Sequence, residues 1–192
     1  KHGELVSAEV VNQPSQRRQQ IGKIVEVFGT EIARGDEVAV AARTPGIPVE
    51  FPDAVLEESA PFGDAVPEAA KAERRDLRDL PLVTIDGADA RDFDDAVYCE
   101  PTKQGYKLIV AIADVAAYVK PGSELDTEAA ERGNSVYFPR AVVPMLPEVI
   151  SNGLCSLNPQ VDRLCMVCEM QIDRDGQLID AQFFNGVMNS AA

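Results

Sequence analysis

The sequence predicts an α+β fold in two parts, and three regions of the 192-residue chain support this prediction. Residues 1–50 contain short runs rich in valine and isoleucine between turn-forming residues, a pattern typical of β-strands. Residues 51–80 mix proline, glycine and charged residues, as a connector between domains often does. Residues 81–192 combine strand-like and helix-like segments. We therefore predict a partial β-barrel, a connector and a mixed α/β domain, in this order.

The first part is expected to form strands at residues 4–11, 19–28 and 36–43. Short strands joined by turns are typical of an OB-type barrel, although any β-meander gives the same pattern. In the connector, residues 67–75 predict a short helix, because Pro67 suits the first helical position and basic residues fall in the last turn.

The second part is predicted to contain a strand at residues 82–86, one helix and two hairpins. The helix is expected within residues 123–134, where Ser123 or Asp126 can cap its start and Gly133 can end it. The hairpins are expected to join residues 95–100 to 106–114, and residues 163–173 to 177–184.

Composition limits the possible functions. No apolar run approaches the length of a membrane span, since the longest, residues 108–119, contains Asp114. The net charge of −14 argues against general adhesion to nucleic acid, but an acidic site that holds metal is compatible with a nucleic-acid enzyme. The chain begins at Lys1 and stops at Ala192 without a helical or charged terminus, so both ends are expected to be cut ends of a longer chain.

Four cysteines raise the question of a metal site or a disulfide. Cys165 and Cys168 form a C-x-x-C motif, but Cys99 and Cys155 are isolated and His2 is the sole histidine. The second ligand pair that zinc needs is therefore missing. Strand-like alternation would also place Cys165 and Cys168 on opposite faces. We expect buried thiols in a reducing compartment.

The densest chemical signal is the aspartate stretch, residues 84–95, which reads TIDGADARDFDD. Two carboxylates about 5 Å apart repel by roughly 3 kcal/mol at an effective dielectric of about 20. Water, a basic partner or a bound cation must offset this repulsion. The stretch contains five aspartates: Asp86, Asp89, Asp92, Asp94 and Asp95.

Three interpretations of the aspartate stretch differ in chemistry. A solvated acidic loop is common, although Ile85 and Phe93 are unusual in one. A calcium-binding EF-hand is excluded, because alanines occupy positions where that loop needs oxygen ligands. A site for one or two Mg²⁺ ions fits the spacing, because Asp92 and Asp94 share one face of an extended backbone and a turn after Asp86 could return its carboxylate. The spacing leaves the first and third interpretations open.

Longer segments around the aspartate stretch resemble a known family. Residues 76–100, 110–126, 131–170 and 183–192 are similar to the start of the catalytic domain of the ribonuclease II / ribonuclease R (RNB) family, and residues 22–55 are similar to the end of its second cold-shock domain. The resemblance covers nearly the whole chain. It implies that the β-barrel is part of a cold-shock domain and that the mixed α/β domain is the N-terminal part of a truncated RNB catalytic domain.

The resemblance implies a processive, cytoplasmic 3′→5′ exoribonuclease. Such an enzyme threads single-stranded RNA by its 3′ end and releases 5′-mononucleotides with Mg²⁺. Metal binding and catalysis are assigned to Asp86, Asp92, Asp94 and Asp95, and Asp94 is also expected to orient the attacking water. Asp89 matches no family site and is expected to be a solvated charge.

Two further residues are assigned to the substrate. Tyr137 matches the aromatic that packs against the last 3′ nucleotide, and stacking of this kind tolerates any base. Arg91 could contact phosphate, although pairing with a neighbouring aspartate is the simpler interpretation. The other half of the catalytic domain and the S1 domain would belong to the parent chain, so these residues alone are expected to have little or no activity. The alternatives are a non-catalytic RNA-binding or assembly module and a catalytically inactive homologue.

Overall fold

The computed structural model describes residues 2–12, 21–30, 36–43, 46–87, 90, 92–139 and 141–192. It divides the chain into two compact units. The first consists of Lys1–Glu50 with Tyr137–Val143, and the second of Phe51–Val136 with Pro144–Ala192. Helices and strands both occur, which confirms the predicted α+β class.

The elements of the described residues follow one another in a mixed order. They are β1 (Leu5–Asn12), β2 (Ile21–Gly29), α1 (Asp36–Arg43), α2 (Asp53–Ser59), α3 (Glu68–Lys71), β3 (Arg75–Asp76), β4 (Asp95–Pro101), β5 (Gly105–Ala113), α4 (Glu124–Arg132), β6 (Val136–Phe138), β7 (Ala141–Val143), β8 (Asp162–Asp173) and β9 (Leu178–Asn189). A 3₁₀ turn at Val115–Ala117 follows β5, and a π-helical segment at Val149–Leu154 precedes β8. Among the described residues, no helix is long and apolar enough to cross a membrane.

The first unit contains two of the three predicted strands. The strands expected at residues 4–11 and 19–28 correspond to β1 and β2, which form an antiparallel hairpin. The strand expected at residues 36–43 is wrong, because α1 occupies this segment. Its alternating valines resemble a strand, but the segment has three alanines, two acidic residues at its start and Arg43 at its end. This composition favours a helix.

Residues 51–80, predicted to be a connector, are part of the second unit. Val55 of α2 and Leu77 are buried in the core of this unit, and β3 pairs in parallel with β9. The predicted helix is also shorter, because α3 ends at Lys71 and Arg75 already belongs to β3. The composition of this segment is typical of a linker. Its buried apolar residues and its pairing with β9 nevertheless attach it to the second unit.

The second unit is built on a five-stranded sheet. Its order is β3–β9–β8–β5–β4, with antiparallel pairing everywhere except between β3 and β9. Both predicted hairpins are confirmed as β4–β5 and β8–β9. Ile109, Ala111 and Val167 are fully buried on one face, where they join side chains from α2, α4 and the π-helical segment. Period-two alternation along the strands gathers these residues on the same face.

Helix α4 begins and ends as predicted. Ser123 Oγ accepts a hydrogen bond from the Asp126 N–H at 3.3 Å, and Gly133 follows the helix with φ of 76°. Helix α2 contributes a further cap, because the Glu58 carboxylate accepts from the Leu125 N–H at 2.9 Å. The free N–H groups of the first turn of α4 are thus partly satisfied by an element that the sequence did not predict.

Candidate metal-binding site

The residue that precedes the aspartate stretch is paired with strand β4. The strand predicted before Asp86 is reduced to Val83, which bridges Val97 through two backbone hydrogen bonds of 3.0 and 2.9 Å. Beyond this bridge, the Ala90 N–H donates to the Gly87 carbonyl at 3.0 Å. The aspartate stretch therefore begins directly after a residue whose backbone is fixed to β4.

The backbone near the end of the aspartate stretch is held by two residues that are distant in the sequence, Ser156 and Leu157. Phe93 packs against the hydrophobic core. Its N–H donates to Ser156 Oγ at 3.0 Å, and its carbonyl accepts from the Leu157 N–H at 2.8 Å. The Ala113 N–H donates to the Asp94 carbonyl at 2.9 Å. The backbone on either side of Asp94 therefore has a defined path into β4.

Three further carboxylates of the aspartate stretch act electrostatically on Asp94. Partial burial raises the pKa of Asp94 above its ordinary value, and the negative charges of Asp92, Asp86 and Asp95 raise this pKa further. The Asp94 side chain still reaches solvent. Asp94 therefore lies within electrostatic range of the other three aspartates, and the roles of the four as metal ligands stay predictions.

The carboxylates are near one another without enclosing a common point. In the described part of the chain, which includes all four of these aspartates, no three His, Cys, Asp or Glu side chains meet closely enough to hold a metal ion. The donors nevertheless suit a hard divalent cation such as Mg²⁺, because all are carboxylate oxygens. A cation would also relieve the repulsion that raises the pKa of Asp94. The residues therefore fit the chemistry of Mg²⁺, and binding would require their side chains to close around it.

The structure describes only one of the two residues that were predicted to contact the substrate. Tyr137 lies in β6 with 63% of its surface exposed. It belongs to the first unit, whereas Asp94 belongs to the second. Arg91 and Asp89 lie outside the described residues. Stacking by Tyr137 and a phosphate contact by Arg91 stay predictions.

The cysteines form no disulfide. Cys155 and Cys165 are buried, and burial raises the pKa of each thiol to about 12, so both are protonated at neutral pH. Cys168 points to the sheet face opposite Cys165, as the alternation predicts. The expectation of a buried thiol is wrong for Cys99, which is exposed on strand β4 at the edge of the sheet.

Sequence reasoning assigned no role to Ser156. Its partner Phe93 lies 63 residues away along the chain, and no local pattern connects the two. The segment around Ser156 reads SNGLCSLN, which is typical of a structural turn and gives no indication of a contact with Phe93.

Comparison with known families assigns the class of this protein. The cold shock domain model matches residues 1–52, and the RNB domain model matches residues 74–192. The second match covers more than half of the 192 residues. The chain therefore belongs to the RNB domain family, which confirms the resemblance seen in the sequence.

Three comparisons illustrate the similarity, and each is with a protein named Ribonuclease R or RNase R. The chain is 58% identical over 189 residues to Ribonuclease R of Acidithiobacillus ferrooxidans, which covers 98% of this chain and 43% of the relative. It also matches Mycoplasma genitalium RNase R in complex with double-stranded RNA, with a TM-score of 0.87 and 33% identity over 98% of this chain and 34% of that one. The same protein in complex with ribose methylated single-stranded RNA gives a TM-score of 0.86 and 33% identity over 98% and 29%. The chain spans less than half the length of each relative.

Proposed function

We propose that the protein to which this chain belongs is a cytoplasmic exoribonuclease that degrades single-stranded RNA processively from the 3′ end to 5′-mononucleotides, using Mg²⁺. The observation that carries this proposal is the combined effect of Asp92, Asp86 and Asp95 on the pKa of Asp94 in an RNB-family chain. The 58% sequence identity with a ribonuclease R supports the proposed class of reaction. Relatives solved with RNA support the substrate.

The aspartates have distinct proposed roles. Asp86, Asp92 and Asp95 would hold metal, and Asp94 would both bind metal and orient the attacking water. A bound divalent cation would polarise the phosphodiester and lower the pKa of a water molecule. The chain would supply carboxylate oxygens as ligands, and for Asp94 the ionised form becomes easier to reach once a cation offsets its three charged neighbours.

Two side chains would position the RNA. The exposed Tyr137 ring suits stacking on the last base at the 3′ end, which is a sequence-tolerant contact. Arg91 would donate charge-assisted hydrogen bonds to a phosphate. These 192 residues alone are proposed to have little or no activity, because the remaining catalytic half and the S1 domain of the parent chain would complete the RNA path.

The test uses the full-length protein with 5′-labelled single-stranded RNA and Mg²⁺. Processive degradation from the 3′ end should convert the labelled strand to a short 5′-labelled end product with few intermediate lengths, and chromatography of a uniformly labelled RNA should show nucleoside 5′-monophosphates. Asp94→Asn should lower the rate by about 100-fold or more, since metal-ion catalysis supplies several kcal/mol of transition-state stabilisation.

The matched control is Asp89→Asn, which removes a charge from the same stretch at a position without a family role. It should keep the wild-type rate. Normal turnover by Asp94→Asn would contradict the metal assignment. RNA affinity without any hydrolysis by the wild type, unaffected by Asp94→Asn, would favour the non-catalytic RNA-binding module instead.

A further inference from the structure

Phe93 is the point at which the aspartate stretch is fixed to the body of the second unit. It separates Asp92 from Asp94, and its N–H and carbonyl are held by Ser156 Oγ and by the Leu157 N–H. Fixing both peptide planes of Phe93 fixes the directions in which the two neighbouring carboxylates leave the backbone.

Ser156 is itself held in place. It is fully buried, and its carbonyl accepts a hydrogen bond from Arg163 Nε at 2.8 Å. Arg163 is also buried, and its Nη1 donates to the Asp162 carbonyl at 2.9 Å. Burial and these contacts leave the Ser156 hydroxyl little freedom to turn away from Phe93.

The aspartate stretch needs such support because its negatively charged side chains repel one another. Asp86, Asp92 and Asp95 all act unfavourably on Asp94, and among the described residues of the stretch none before Asp95 belongs to a strand. Without a fixed backbone, the carboxylates would lower their mutual repulsion by moving apart. A metal ion needs the opposite arrangement, with oxygen donors held near one point.

We propose that Ser156 is a positioning residue for the metal site of the proposed function. Its hydroxyl oxygen holds the Phe93 N–H and thereby sets the spacing of the Asp92 and Asp94 carboxylates for a divalent cation. Ser156 acts through the backbone of Phe93 and contacts neither RNA nor metal. Partners that orient metal ligands change metal affinity by about 10–100-fold, so loss of the hydroxyl should weaken binding by about tenfold or more.

The experiment compares Ser156→Ala with the wild type in the full-length protein. Mn²⁺ alone is titrated without RNA and followed by electron paramagnetic resonance, while hydrogen exchange of the peptide covering residues 84–95 is measured by mass spectrometry. The matched control is Ser59→Ala, because Ser59 is also buried and its Oγ donates within α2 to the Leu56 carbonyl at 3.1 Å.

Ser156→Ala should bind Mn²⁺ about tenfold or more weakly and show faster exchange in the aspartate stretch. Ser59→Ala should change neither quantity, even if it lowers the unfolding temperature by a similar amount. Wild-type Mn²⁺ affinity in a folded Ser156→Ala protein would overturn the positioning role and leave the proposed function standing. Absence of Mn²⁺ binding by the wild type would overturn the proposed function, and this inference with it.

Two more variants keep the test decisive if Ser156→Ala does not fold. Ser156→Thr keeps a hydroxyl oxygen and should retain most of the Mn²⁺ affinity. Ser156→Cys is close in size but offers a weaker acceptor, so it should weaken Mn²⁺ binding and speed exchange of the aspartate stretch. Equal Mn²⁺ affinity in the threonine, cysteine and wild-type proteins would overturn the proposal.

Discussion

The ionised form of Asp94 is disfavoured by its surroundings, because partial burial and the charges of Asp92, Asp86 and Asp95 all raise its pKa. The folded chain therefore holds this proton more tightly than the unfolded chain does. As the pH rises from the ordinary aspartate pKa of about 4 through the raised value, the folded state loses stability, and the loss persists at neutral pH. A residue that costs stability in this way is typical of a functional site.

Because the raised pKa of Asp94 destabilises the folded state at neutral pH, removing its charge should stabilise the metal-free chain. Asp94→Asn should raise the thermal unfolding midpoint at pH 7, because the amide removes the unfavourable charge. At pH 3 the gain should vanish, because Asp94 is then largely protonated in both the folded and unfolded states. Calorimetry in the presence of EDTA at both pH values checks this expectation. A loss of stability at pH 7 would show that the Asp94 charge supports the fold instead.

At the scale of elements, the β4–β5 hairpin illustrates how one residue sets the packing of three strands. Gly105 begins β5 with φ of 153°, and a Cβ at this position would collide with the Ile172 carbonyl of β8. The obstacle is backbone, so a side-chain rotation cannot relieve it. Gly105 therefore permits the close approach of the β4–β5 turn to the end of β8.

Gly105→Ala should lower the free energy of unfolding by about 1–3 kcal/mol, the usual cost of a strained backbone position. The matched control is Gly63→Ala, since nothing lies within 4 Å of a Cβ there and its backbone is not in the left-handed region. That variant should stay within about 0.5 kcal/mol of the wild type, as surface substitutions usually do. Urea denaturation measures both, and equal midpoints would contradict the role of Gly105.

At the scale of the whole molecule, part of one face of the sheet in the second unit carries exposed apolar side chains, as far as the described residues show. Cross-strand neighbours point to the same side, and the registers place Ile112 beside Met166, and Cys168 between Val110 and Phe183, on the face opposite Ile109 and Ala111. Phe183 is exposed over 73% of its surface. Contiguous apolar surface of this kind is unusual on a soluble domain.

The isolated 192-residue chain should therefore bind the apolar dye ANS, with a clear rise in fluorescence. Replacing Phe183 and Met166 with serine should reduce this signal, because both side chains are exposed on this face. Leu56→Ser is the control, since Leu56 is exposed on α2. An equal loss of fluorescence in the control would show that the dye does not report on this face.

Much of the fold followed from local patterns. The two hairpins of the second unit have alternating apolar residues around turn signals, and α4 has Ser123 and Gly133 at its ends. These signals act over a few residues and so survive without tertiary context. The same holds for the aspartate stretch, because Asp92 and Asp94 are close in sequence and cannot be far apart in space.

Other elements depended on distant contacts. The segment of α1 is compatible with a strand or a helix by its apolar residues alone, and α2 is stabilised by burial of Val55 and by its contact with α4. Residues 51–80 have the composition of a linker, yet their attachment to β9 makes them part of the second unit. Propensity is too weak to decide such cases, and tertiary packing overrides it.

The sequence by itself determined the family, the α+β class and the four carboxylates that make the aspartate stretch unusual. Only the tertiary structure decided how this stretch is supported, by joining Phe93 to Ser156 and Leu157 across more than 60 residues. The physical reason is the range of the interactions. Charge and hydrophobic period are properties of residues that are neighbours in the sequence. A hydrogen bond to a buried hydroxyl group instead joins residues that only the folded core brings together.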